Sequence, residues 1–286
     1  MLKYTTCTFL SFCGLDIITL HYEDMFIMQE IFSLPFLLDK IFLPWKSMFV
    51  LKNRGNDMQP VKKYLIPVLV IALTFGVFAQ EKKKTETKYY PYYYQKKTLF
   101  EKLPDTKGEI IFLGDSITDG GSWIELFQDI RIKNRGISGD VTDGVLDRLD
   151  EVTRSHPAKV FLMIGINDLA AGKSANYIVS NIGKIVKNIR KSSPETEIYV
   201  QSLPPVNNDF GMFNNHTDKT ETVISINKKL KKQAEIFKIT YIDVYSSFTC
   251  EGNKLNPDYS NDGLHLTGDG YIVWKSLLEP YIKNKH

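Results

Sequence analysis

From residue 98 onward, short, predominantly apolar runs alternate with longer stretches in which apolar residues recur every three or four positions. The runs at 110–113, 132–134, 160–164, 198–203 and 241–244 are too short for helices and rich in β-branched and aromatic residues, with little polar alternation. That pattern predicts strands buried on both faces. Between the third and fourth runs, Ile178, Ile182, Ile185, Val186 and Ile189 share one helical face. Between the fourth and fifth, Val223, Ile226, Leu230, Ala234 and Phe237 do the same. Strands alternating with such helices imply right-handed βαβ units, hence a parallel five-stranded sheet with helices on both sides. No internal repeat interrupts this order, and one domain accounts for residues 98–286. The connections at 204–220 and 245–268 are long for a compact domain, and loops of that size are usually functional.

The N-terminal third reads differently. Lys62 and Lys63 form a positive n-region, residues 65–78 an apolar h-region, and Val77-Phe78-Ala79 a small-residue cleavage signal ahead of Gln80. Residues 58–79 therefore read as a signal peptide. A permanent anchor helix is the alternative, but the run is short for a span, which needs about 20 apolar residues. The polar EKKKTETK that follows also argues for cleavage, and no cysteine follows the h-region to take a lipid. A signal peptide must stand first, so Met58 is the expected start, with residues 1–57 an upstream segment outside the fold. Residues 80–97, lysine- and tyrosine-rich with no apolar period, read as a tether whose rings pack on the domain. These readings predict an exported protein, periplasmic or secreted, with no stable membrane anchor after cleavage.

Composition narrows the partners. The 286 residues carry 36 basic and 33 acidic side chains, with 43% hydrophobic residues. Removing the seven basic and six acidic residues of positions 1–79 leaves 29 against 27. This near-neutral balance, without a basic stripe, argues against nucleic acid and for a small-molecule or glycan ligand. Cys7 and Cys13 fall in the upstream segment, which leaves Cys250 alone and no intramolecular disulfide in the exported part.

Four polar stretches lie at or beyond the C-terminal ends of the predicted strands, where a parallel sheet gathers its ligands. They are GDSIT, NRGISGDVTDG, MIGINDL and NDGLHLTGDGY. Ser116 follows the first strand, Gly139 the second and Asn167 the third, while Asp262 and His265 follow the fifth. Taken alone, Ser116 suits a turn or helix cap, Gly139 a turn glycine and Asn167 a turn residue. Taken together they supply what acyl transfer needs: a hydroxyl, a base, a group to orient the base, and donors for an oxyanion. Among the other histidines, His156 reads as a helix-end residue, His216 as part of a polar loop, and His286 as terminal. No further residues of suitable type and spacing accompany Asp262 and His265 to make a metal site.

These stretches, in this order, resemble the four blocks of the SGNH/GDSL hydrolase superfamily, and the resemblance runs from about residue 89 to 281. It implies a flavodoxin-like three-layer α/β/α fold, a serine esterase or acylhydrolase activity, and neither metal nor organic cofactor. Residue by residue it implies Ser116 as nucleophile, His265 as base oriented by Asp262, and an oxyanion hole made by the N–H groups of Ser116 and Gly139 with the Asn167 amide. The compact exported domain, lacking a lid-sized insertion, is similar to bacterial carbohydrate O-acetylesterases and to the platelet-activating-factor acetylhydrolase-like branch. A short acyl group, acetyl above all, on a polar carrier such as a carbohydrate is therefore the expected substrate. The alternatives are a lysophospholipase or thioesterase, and a non-catalytic carbohydrate-binding protein on the same fold. Trp123, Phe210 and Phe213 are candidate walls of the substrate pocket, a core position for Trp123 being the other reading.

Overall fold

A computed structural model describes residues 87–283 of the protein. The segment 1–57, the expected signal peptide 58–79, the first residues of the expected tether and His286 lie outside these described residues. All five apolar runs form strands: β1 (Ile110–Gly114), β2 (Ile132–Gly136), β3 (Lys159–Met163), β4 (Glu197–Gln201) and β5 (Thr240–Ile242). They pair in parallel in the order β2-β1-β3-β4-β5. The chain is thus a three-layer α/β/α protein of the expected class. Because β1 lies between β2 and β3, successive connections leave it in opposite directions, and a crevice opens beyond its C-terminal end.

α1 (Pro91–Lys102) precedes the sheet, α2 (Ser116–Asp119) follows β1, and α3 (Ala175–Ser192) links β3 to β4. α4 (Thr220–Phe237) links β4 to β5, and α5 (Gly268–Lys283) follows β5. The residues that share a helical face on α3 are all buried, and on α4 Val223, Ile226, Leu230 and Ala234 are buried with Phe237 half-buried. The two helices pack on each other. Strand register sets Phe112, Phe161 and Tyr199 in a row across the sheet, stacked at 5.1 and 4.5 Å. Trp123 stacks on Phe112 at 4.4 Å and meets Trp274 of α5 edge-on at 4.8 Å.

Two expectations are corrected. Trp123 is only 1% exposed, so it belongs to the core and not to a pocket wall: its indole fills the space between the sheet and α5. The reading of residues 80–97 as a tether fails from Pro91 onward, where the chain enters α1. α1 lacks a strong apolar stripe because tyrosine and lysine do its docking. Tyr93 and Phe100 are buried, the Tyr93 hydroxyl donates to Gly144 O at 2.9 Å, and Lys96 pairs with Asp119 at 2.8 Å. The Arg154 guanidinium caps the other end by donating to the carbonyls of Phe100, Glu101 and Leu103. The expectation that the tyrosines pack on the domain holds for Tyr93. Among the described residues no helix is long and apolar enough to cross a membrane.

Candidate active site

The turn that carries Ser116 begins where β1 runs out of room. A Cβ on Gly114 would sit 2.3 Å from Thr118 Oγ1 and 2.4 Å from Met163 O, so the absence of a side chain lets α2 start directly against β3. Asp115 caps α2 by accepting from Ile117 N at 3.1 Å. The exposed carbonyls of this short helix are then occupied from outside. Ile117 O accepts from the Tyr271 hydroxyl at 2.8 Å, and Thr118 O accepts from Trp123 Nε1 at 2.8 Å and Asn134 Nδ2 at 3.1 Å. Trp123 thus acts on the site from beneath, by fixing the helix that carries Ser116.

Ser116 Oγ lies 3.1 Å from His265 Nε2, and His265 Nδ1 lies 2.7 Å from Asp262 Oδ2. A carboxylate only accepts, so Nδ1 carries the proton and donates to it. That leaves Nε2 bare toward the serine hydroxyl. Burial alone would raise the Asp262 carboxyl, but hydrogen bonds from the His265 ring and from the N–H groups of His265 and Leu264 bring it below the ordinary carboxylate range. Asp262 therefore stays ionised and holds both the ring and the backbone that carries it. Gly263, between them, has φ +81°, and a Cβ there would lie 2.0 Å from Asn207 O, so only glycine fits this turn. The Phe210 ring packs beside Gly263, and the Phe213 ring meets His265 edge-on at 5.2 Å. Of the three expected pocket walls, Phe213 borders His265, Phe210 backs its turn, and Trp123 is absent from the site.

Gly139 takes φ +79° in the turn after β2. Asn167 opens the short helix after β3 and reaches this turn, donating from Nδ2 to Asp140 O at 2.9 Å. Its Oδ1 meets His216 Nε2 at 3.0 Å. His216, read from sequence as part of a polar loop, therefore stands in the site. Burial, and then the charge of His265, lower its pKa below the usual histidine value. Beside Gly139 an open cleft of about 530 Å³ is bounded by Tyr89, Tyr90, Tyr93, Asp143 and Lys173. Among the described residues no cluster of three or more His, Cys, Asp or Glu side chains is arranged to hold a metal ion.

The family model for GDSL-like Lipase/Acylhydrolase proteins matches residues 112–273, a span that holds Ser116, Gly139, Asn167, Asp262 and His265. The chain belongs to this family. The GDSL protein is 28% identical over 182 residues to the platelet-activating factor acetylhydrolase IB subunit alpha2 of Rattus norvegicus, covering 61% of this chain and 76% of that one. Its structure is similar to that of a GDSL-like lipase from Bacteroides thetaiotaomicron, with TM-score 0.59 and 25% identity over 67% of this chain and 97% of the other. It shares its fold with an acetylxylan esterase from Geobacillus stearothermophilus, with TM-score 0.51 and 19% identity over 64% of this chain and 97% of that one. The protein is an ester-cleaving hydrolase of the GDSL type.

Behind the Ser116, Gly139 and Asn167 loops of this GDSL hydrolase lies a layer of buried charge that the sequence did not advertise. The Arg148 side chain is fully buried and donates to Asp140 Oδ2 at 2.9 Å and Glu151 Oε1 at 3.1 Å. It also donates to Arg135 O at 2.9 Å and Gly114 O at 3.3 Å, which ties the ends of β1 and β2 together. Arg135 pairs with Glu151 at 3.1 Å. Asp168 caps the helix after Gly139, accepting from Thr142 N at 2.9 Å and Thr142 Oγ1 at 2.6 Å. A lone arginine in a charged helical stretch and a lone histidine in a loop carry no local signal. Only the length of the 204–220 connection hinted that His216 was worth following.

Proposed function

We propose that the enzyme removes a short acyl group, acetyl above all, from a polar carrier such as a carbohydrate, through an acyl-enzyme on Ser116. The observation that carries this reading is the hydrogen-bonded line Asp262–His265–Ser116, whose tautomer leaves Nε2 free to take a proton. His265 removes the Ser116 proton as Oγ attacks the ester carbonyl carbon, and the imidazolium that forms is stabilised by the ionised Asp262. The oxyanion meets the N–H groups of Ser116 and Gly139 and the free hydrogen of Asn167 Nδ2, donors oriented before charge develops. His265 then protonates the departing alcohol, and water activated by the same histidine releases the acid.

The substrate class rests on three supports. The acetylhydrolase and the acetylxylan esterase that resemble this chain both carry acetyl in their names. Phe213 stands against His265 and restricts that side of the site. The cleft beside Gly139, with exposed Tyr90 on its rim, leaves the other side open for a bulky carrier. The proposal includes export directed by residues 58–79 from a start at Met58, which N-terminal sequencing of the native protein tests.

Initial rates on para-nitrophenyl esters test the activity. Acetate should be the best substrate, and both turnover and labelling by a fluorophosphonate probe should vanish in Ser116→Ala. A preference for chains of about eight carbons or more would favour the lysophospholipase or thioesterase reading. No turnover of any ester would favour a carbohydrate-binding protein.

A further inference from the structure

The Asn167 amide is held at both ends. Asp140 O can only accept, so the group facing it at 2.9 Å is Nδ2, and Oδ1 is the atom turned to His216 at 3.0 Å. An amide oxygen also only accepts, so His216 Nε2 carries the proton. With one Nδ2 hydrogen given to Asp140 and Oδ1 taken by His216, a single Nδ2 hydrogen remains.

His216 is itself fixed. It sits on the short helix Asn214–Thr217, which Phe213 launches from a left-handed φ of 52°. His216 N donates to Phe213 O at 2.7 Å, Thr217 Oγ1 donates to Met212 O at 3.0 Å, and Asn208 Nδ2 donates to Asp218 Oδ1 at 2.9 Å. The loop after β4 thus reaches over the site and places one donor on an amide that belongs to the loop after β3.

We propose that His216 is a positioning residue for catalysis, its Nε2–H anchoring Asn167 Oδ1 so that the remaining Nδ2 hydrogen is aimed at the developing oxyanion. This rests on the reading of Asn167 as an oxyanion donor. The physical need is specific to asparagine, whose terminal torsion is broad and nearly two-fold, so that one hydrogen bond alone leaves the amide free to swing. An oxyanion donor accelerates the reaction only if its dipole is aligned beforehand. The lowered pKa of His216 suits the task, because His265 becomes cationic during acylation and a second cation beside it would oppose that step. Nothing in the sequence pairs His216 with Asn167, which lies 49 positions away.

The test is steady-state kinetics of the full chain on para-nitrophenyl acetate, with thermal melting as a fold control. His216→Phe should lower kcat about tenfold at unchanged KM, the scale expected when a reacting contact is misplaced and not deleted. His216→Gln, whose Nε2 can donate to the same oxygen, should recover most of that loss. Asn167→Ala should lower kcat by about 10² to 10³, and adding His216→Phe to it should cost nothing more, since the residue acts only through the amide. Should His216→Phe fail to fold, His216→Ala against His216→Gln carries the same comparison. Equal losses from the His216 substitution with and without Asn167, or a raised KM at constant kcat, would overturn the proposal alone. An Asn167→Ala enzyme with undiminished kcat would overturn the oxyanion reading as well.

Discussion

The two sides of the active site are held by different physics. On the side of β1, β2 and β3, the loops bearing Ser116, Gly139 and Asn167 rest on buried charge: Arg148 with Asp140 and Glu151, Arg135 with Glu151, and Asp168 on Thr142. On the side of β4 and β5, the loop bearing Asp262 and His265 is held mainly by backbone groups. Asp262 Oδ1 accepts from Leu264 N and His265 N, both at 2.8 Å, and Gly263 O accepts from Asn207 N at 2.8 Å. Ser260 Oγ accepts from Gly263 N at 2.9 Å, and Asn207 Nδ2 donates to Leu255 O at 3.0 Å. A buried ion network holds several elements at once but leaves unpaired charge if one member is lost. A hydrogen-bonded turn carries no such penalty. Substitution is therefore tolerated better in the Asp262–His265 turn than in the ion network beneath Ser116, Gly139 and Asn167.

The largest expected effect falls on the tolerant side. His265→Ala should reduce kcat on the order of 10⁶-fold while moving Tm by no more than about 2 °C, because the ring is part-exposed and its turn is fixed by the backbone. A melting temperature that collapsed with the activity would erase the distinction between the two sides. Next in size is Arg148→Met, which strands Asp140 in the interior, leaves Glu151 with Arg135 as its remaining cation, and should cost about 3–5 kcal/mol in urea unfolding. A loss below about 1 kcal/mol would mean that the network only decorates the fold.

The smallest effect sharpens the comparison within the charged side. Asp115 is fully buried, and its Oδ2 has no hydrogen-bond partner among the described residues. Burial, opposed by the Ile117 N–H and reinforced by the nearby Asp140 and Asp168, pushes its carboxyl up to about 7 from 3.8. The folded state thus keeps a proton that the unfolded chain releases above about pH 4, so stability declines as pH rises from there to about 7. Asp115→Asn keeps the acceptor for Ile117 N and removes the ionisation. It should raise Tm at pH 8 by several degrees and change little at pH 4. An equal shift at both pH values would show that the carboxyl does not titrate in this window.

Residues whose meaning lies in their immediate neighbours could be read in advance. The five strands follow from short apolar runs, α3 and α4 from their helical period, and the turns at Ser116, Gly139, Asn167 and His265 from glycine and polar residues at strand ends. Their convergence followed from one topological rule, that parallel strands bring their C-terminal ends to one edge. Residues whose meaning lies across the sheet could not be read. Trp123 is near Ser116 in sequence and could face either way; the packing of Phe112 and Trp274 around its ring put it in the core. α1 hides its docking face in tyrosines and lysines, whose partners Asp119 and Gly144 lie tens of residues away. Arg148 and His216 acquire their roles from carbonyls and an amide on other loops. Local periodicity and turn chemistry are properties of consecutive residues and so belong to the sequence, whereas the choice of which polar atoms meet in a buried space is made only when the loops close over the sheet.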